Sequence, residues 1–178
     1  TQAQIDVAYA YYKYDEPDSA LAAVERFIKL NPRHETVDYA YYLRGLINVG
    51  RGGSIFDFIR ERDDSDFDKS ILLTAYNDFQ LVIKRFPKSA YATDARQRII
   101  YLRNQLAMAE LKIAQFYASR DAWIAAGNRV KLILQNYQGT EAVKPALDIQ
   151  LLAYQKLGLV ELAADTQRII DLNYKNDS

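Results

Sequence analysis

The sequence predicts an all-α protein, a right-handed superhelix of antiparallel helix pairs stacked as an α-solenoid. Three observations predict it. Helix breakers are scarce, with 7 Gly and 4 Pro in 178 residues, and Pro17, Pro32 and Pro87 fall where helical patterns open or close. Apolar residues recur at helical spacing, as in Ile99, Leu102, Leu106, Ile113 and Tyr117, with no breaker between Pro87 and Gly127. Finally, one spacing returns along the chain, a Tyr followed by an Ala and then by further core-type positions, which marks an internal repeat.

The first pair, residues 1 to 34, supplies the template: Tyr11, Ala20, Val24, Phe27 and Pro32. The second, residues 35 to 88, repeats its latter half as Ala75, Phe79, Val82 and Pro87, behind a helix whose Gly45 allows close backbone approach. It also carries an insertion, residues 51 to 68, between its two helices, and inserted loops on solenoids tend to lie on one face and touch partners. The third pair, residues 89 to 138, begins with one long helix from about Tyr91 to Ser119 and repeats the template as Tyr117, Ala126, Val130 and Ile133. The fourth, residues 139 to 176, gives Tyr154, Ala163, Gln167 and Ile170, and Pro145 sets the start of its first helix at about Lys144. The four pairs are expected to form a single domain over residues 1 to 178. Alanine at positions 20, 75, 126 and 163 lets helix axes approach to about 8 Å, while Tyr11, Tyr117 and Tyr154 are expected to fill the space beside each crossing. On that reading Ala20→Leu and Tyr11→Ala each cost about 2 to 4 kcal/mol.

Composition removes several function classes. Lys plus Arg and Asp plus Glu both number 23, so there is no cationic surplus to displace counterions from a phosphate backbone, and nucleic acid is not an expected partner. With no Cys there is no disulfide framework, thiol nucleophile or thiolate metal site. No stretch approaches the roughly 20 apolar residues that cross a bilayer. The opening at Thr1 is helix-like rather than a basic, apolar and small-residue targeting segment, so any export signal is expected to have been removed or to lie outside this sequence.

Catalytic and metal chemistry finds no support, and the chain is read as a non-enzyme without cofactors. His34, the only histidine, follows Pro32 in a turn and reads as an exposed loop residue; alone it cannot complete a triad or an imidazole cluster. The run from Gly50 to Ser54 lacks the Gly-Lys-Ser/Thr of a phosphate loop. Asp64, Asp66 and Asp68 alternate as calcium ligands do, but Lys69 stands where the loop needs its turn glycine and Ala75 where it needs the closing Glu, so no metal is expected. Tyr9, Tyr12, Tyr39 and Tyr42 are at helical spacing and read as packing. Binding chemistry remains: Arg44, Arg96, Arg98, Arg103, Arg120, Arg129 and Arg168 are placed on helices, each able to fork onto a carboxylate.

The pairs resemble tetratricopeptide repeats, helix pairs of about 34 residues that bury their apolar faces only by stacking. Residues 8 to 46, reading AYAYYKYDEPDSALAAVERFIKLNPRHETVDYAYYLRGL, resemble more specifically the BamD (ComL) family of tetratricopeptide lipoproteins of the outer-membrane β-barrel assembly machinery. The likeness continues through Tyr76-Asn77-Asp78-Phe79, Phe86-Pro87-Lys88-Ser89, Ala114-Gln115-Phe116-Tyr117 and the run from Ala122 to Val130, and so covers essentially the whole chain. It implies a scaffold anchored by an N-terminal lipid to the outer membrane and facing the periplasm. The implied partners are the POTRA domains of BamA, accessory lipoproteins of the same complex and unfolded outer-membrane proteins. The family's first repeat and lipid-bearing cysteine would then lie upstream of Thr1.

The family's Asn-Arg-Val segment falls on Asn128, Arg129 and Val130, which makes Arg129 the first expected contact to a POTRA carboxylate, with Asn128 beside it and Arg120 and Trp123 added by proximity. In the insertion the family reads Asp-Arg-Ser-Asp-Arg-Asp, whereas Asp63 to Asp68 here lacks both arginines, so no ionic role carries over to that loop. Arg129→Glu is expected to weaken POTRA binding by about 1.5 to 3 kcal/mol with no change in melting temperature. The alternative is a cytosolic tetratricopeptide co-chaperone module that clamps peptide C-termini. Such a clamp needs Lys, Arg and Asn along the inner faces of the first helices, where this sequence offers Ile5, Tyr9 and Tyr12.

Overall fold

The computed structural model describes residues 2 to 51 and 69 to 174, and among them every regular element is a helix. In order these are α1 (Gln2–Lys13), α2 (Pro17–Leu30), α3 (Val37–Arg51), α4 (Lys69–Arg85), α5 (Ala92–Ala118), α6 (Trp123–Asn136), α7 (Val143–Lys156) and α8 (Val160–Tyr174). The all-α expectation holds, and the long helix and the helix opened by Pro145 lie within one residue of their expected ends. Pro145 stands in the first turn of α7, where its missing N–H leaves no intrahelical bond unmade. Pro17 opens α2 in the same way. Of the insertion over residues 51 to 68, all but Arg51 lies outside the described residues, and with it the aspartates at 64, 66 and 68.

The chain forms two compact units, Thr1–Leu102 and Arg103–Ser178. In the first, α1, α2 and α3 enclose a core of Ile5, Ala8, Ala20, Val24, Phe27, Ala40, Leu43 and Ile47. Further along, α4 buries Leu72, Ala75, Phe79 and Val82. Gly45 of α3 packs directly on the Phe79 ring, so the close approach expected there is real. In the second unit Ala107, Leu111 and Ala114 of α5 meet Val130 and Ile133 of α6 and Ala142 and Ala146 at the start of α7. The repeated alanines at 20, 75 and 126 have no exposed surface, and Ala163 is buried too.

The repeated tyrosines differ from expectation. Tyr11 is 37% exposed, and Tyr117 and Tyr154 are only half-buried, because each sits in the last turn of its helix, beyond the crossing. Ile5 and Ala8 supply the core contacts from α1 instead. What the tyrosines do share is a backbone role. The carbonyls of Tyr11, Tyr117 and Tyr154 accept the N–H of Glu16, Ala122 and Leu159 at 3.0, 3.0 and 2.9 Å, closing three equivalent turns. The residue before each of those donors, Asp15, Asp121 or Gly158, is left-handed, with φ of 59, 56 and 70°. This reversal ends one helix and starts the next, the usual use of a left-handed residue past a helix C-terminus.

Candidate functional site

The residues expected to bind partners lie in the second unit, on α6 and in the turn that precedes it. Trp123 opens α6, and with Asp121, Ala122, Ile124, Ala125, Asn128 and the turn residue Leu157 it lines an open groove of about 430 Å³. Trp123 is half-buried and Asn128 exposed, and Ile124 beside them is 71% exposed. The structure therefore gathers two of the four expected contacts, Trp123 and Asn128, around one apolar groove. Arg120 precedes the groove and lays its guanidinium over the Phe116 ring, 3.6 Å from the centroid, a cation–π arrangement that holds the exposed charge in place.

Arg129 is arranged differently. Its Nη1 donates to Oε2 of Glu110 on α5 at 3.2 Å; the Glu110 side chain is 2% exposed, whereas Arg129 keeps 38% of its side chain open to solvent. The pair tethers α6 to α5 across the core of this unit, which changes one expectation. Arg129→Glu would set a second carboxylate against a buried one, so the substitution destabilises the fold as well as any contact, and its melting temperature cannot stay unchanged. Arg129→Lys, which keeps the charge but not the fork, is the cleaner probe.

The other arginines singled out by sequence have structural partners or are exposed. Arg44 on α3 grips Asp78 on α4 with Nε at 3.1 and 3.0 Å from the two carboxylate oxygens and Nη2 at 2.5 Å from Oδ1. Burial pushes the Asp78 carboxyl above its ordinary value, against the opposing pull of the Arg44 and Asn48 hydrogen bonds. Tyr42 and Arg98 both donate to Oδ2 of Asp94 at 2.5 Å, and the Tyr42 bond leads in holding the Asp94 carboxyl below its usual range. Arg103 donates to the carbonyl of Gln138 at 3.0 Å, a cap for the chain leaving α6. Arg168 pairs with Asp165 one turn away on α8, and Arg96 is exposed.

His34 is half-buried rather than exposed: its Nδ1 lies 3.0 Å from Thr36 Oγ1 and its ring stands edge-on to Phe27. Among the described residues no group of three or more His, Cys, Asp or Glu side chains is placed to hold a metal ion. Sequence reading missed Glu110 and Asp78 as buried carboxylates. The available signal is helical register: Glu110 is in step with Ala107 and Ala114, and Asp78 with Ala75 and Val82, so each acid stands on an apolar stripe.

Similarity to known proteins adds a family to this geometry. Residues 1–169 match the family described as Outer membrane lipoprotein (YfiO). The chain is similar to the outer membrane protein assembly factor BamD of Neisseria meningitidis serogroup A, 46% identical over 173 residues that make up 97% of this chain and 65% of the relative. It is similar to BamD of Vibrio cholerae at 41% identity over 172 residues, 97% of this chain and 71% of the relative. Against BamD of Haemophilus influenzae the identity is 38%, over 97% of this chain and 66% of the relative. The chain thus spans 65% of the length of the Neisseria relative, whose name describes assembly rather than catalysis.

Proposed function

The chain belongs to the outer membrane lipoprotein (YfiO) family, and from that membership we propose that it is a non-catalytic scaffold of outer-membrane protein assembly, working at the periplasmic face of the outer membrane. The single observation that carries the reading is the family match across residues 1–169. On this reading its partners are the POTRA domains of BamA, accessory lipoproteins of the same complex and unfolded outer-membrane proteins. The four helix pairs act as one tetratricopeptide array, and the full-length protein is held to the membrane by a lipid. Among the described residues no helix is long and apolar enough to cross a membrane.

The contact to a POTRA domain is assigned to Arg129, Arg120, Trp123 and Asn128. Two features support that choice: an apolar groove rimmed by Trp123 and Asn128, and two exposed or half-exposed guanidinium groups that flank those residues in sequence. Aromatic and Arg side chains of this kind carry a large share of binding energy when a partner covers them. The test is calorimetric titration of the full-length protein with the isolated POTRA array. Trp123→Ala and Arg129→Lys are each expected to weaken binding about 10-fold, with Arg129→Lys melting close to wild type. Unchanged affinity in both variants removes the site assignment.

A further inference from the structure

Resting on the proposal that Arg129 meets a partner carboxylate, we infer that Glu110 is its positioning residue, anchoring the guanidinium by one nitrogen so that the rest of the fork faces outward. Two arginine–carboxylate pairs with buried acids make the case by contrast. Arg44 spends the Nε/Nη2 edge of its fork on Asp78, through Nε to both oxygens and Nη2 to one, and its side chain is the less exposed of the two arginines. Arg129 reaches Glu110 through Nη1 alone, at 3.2 Å, and stays more open to solvent. A guanidinium carries five N–H donors in a planar fork, and one such donor engaged on Glu110 leaves the opposite edge free for a second carboxylate in the bidentate geometry that Arg favours.

Position and rigidity point the same way. Glu110 stands on the buried stripe of α5, in step with Ala107 and Ala114, so its carboxylate is fixed by the packing of the unit and cannot follow Arg129 into solvent. An arginine tied to such a point loses little further freedom when a partner arrives, and pre-organisation of that kind strengthens binding without adding a contact. An acid-bearing segment of the partner that enters beside the Trp123 and Asn128 groove meets a guanidinium already held in place on the same helix.

The experiment is a double-mutant cycle on the full-length protein, titrated with the POTRA array: wild type, Glu110→Gln, Arg129→Lys and the double variant. Glu110→Gln is expected to weaken binding about 5-fold in the wild-type background and less than about 2-fold in the Arg129→Lys background, since the fork it positions is gone there. Should Glu110→Gln fail to fold, Glu110→Met, which replaces the buried charge with apolar volume, is expected to show the same loss and the same coupling. If Arg129→Lys weakens binding but neither Glu110 variant does, or if their losses simply add, positioning by Glu110 is overturned while the Arg129 contact stands. If Arg129→Lys binds as wild type, the contact assignment itself fails and the inference falls with it.

Discussion

Gly45 lies against the ring of Phe79 so closely that an added β-carbon would stand 2.7 Å from Cε1 and 2.8 Å from Cζ. Phe79 has no exposed surface and its ring also touches that of Tyr42, at 5.8 Å between centroids, so it has little room to yield. Gly45→Ala is therefore expected to destabilise the protein by about 1 to 3 kcal/mol through overpacking, outweighing the gain in helix propensity of about 1 kcal/mol. Thermal melting checks this, and a variant that melts above wild type contradicts it. Tyr39 offers a second residue-scale test. Burial, with the neighbouring Tyr91 next in weight, pushes its phenol from the usual 10.0 to about 12. The folded state then holds this proton more tightly than the unfolded state. The stability that follows is fully present below pH 10 and is lost as pH rises through 12. Melting temperatures measured between those limits should fall for wild type and fall less for Tyr39→Phe; identical slopes would remove the assignment.

At the scale of the helix, what was legible in the sequence was the spacing of small residues. Ala20, Ala75 and Ala126 recur in step with bulky apolar neighbours, and burial of all three follows because only a methyl group fits where two helices cross closely. Ala20→Leu should cost about 2 to 4 kcal/mol by overpacking, as expected from sequence. Tyr11→Ala should cost at most about 1 kcal/mol, well below the value expected from sequence, because Tyr11 is a partly exposed side chain whose shared role lies in its carbonyl. Equal melting shifts in the two variants would contradict this division. Side-chain pattern cannot report a backbone hydrogen bond, which is why the three equivalent turns closed at Tyr11, Tyr117 and Tyr154 were not foreseen. The left-handed positions were hidden for a related reason: Asp15 and Asp121 occupy a conformation that Gly158 announces and aspartate does not.

The candidate site was half legible on the same grounds. Ile124 and Asn128, one helical turn apart, share a face at the start of α6, and Trp123 adjoins them, so Trp123 and Asn128 do rim one groove. The Glu110 anchor beneath Arg129 was hidden, since a glutamate in a charged, mixed helix such as α5 reads as a solvated residue until its register against Ala107 and Ala114 is traced.

For the molecule as a whole, the balance of 23 basic and 23 acidic residues and the pairing of several of them across helices leave binding specificity to local arrangements rather than to a net field. The apolar groove on the second unit, whose Trp123 and Asn128 are flanked in sequence by exposed Arg120 and half-exposed Arg129, is such an arrangement, and membership of the outer membrane lipoprotein family gives it a place in outer-membrane protein assembly as the proposed role. The most direct measurement is the affinity of the wild-type full-length protein for the isolated POTRA array at two ionic strengths. Saturable one-to-one binding that weakens as salt rises is expected, since part of the contact is ionic. Absence of binding at low salt would contradict it.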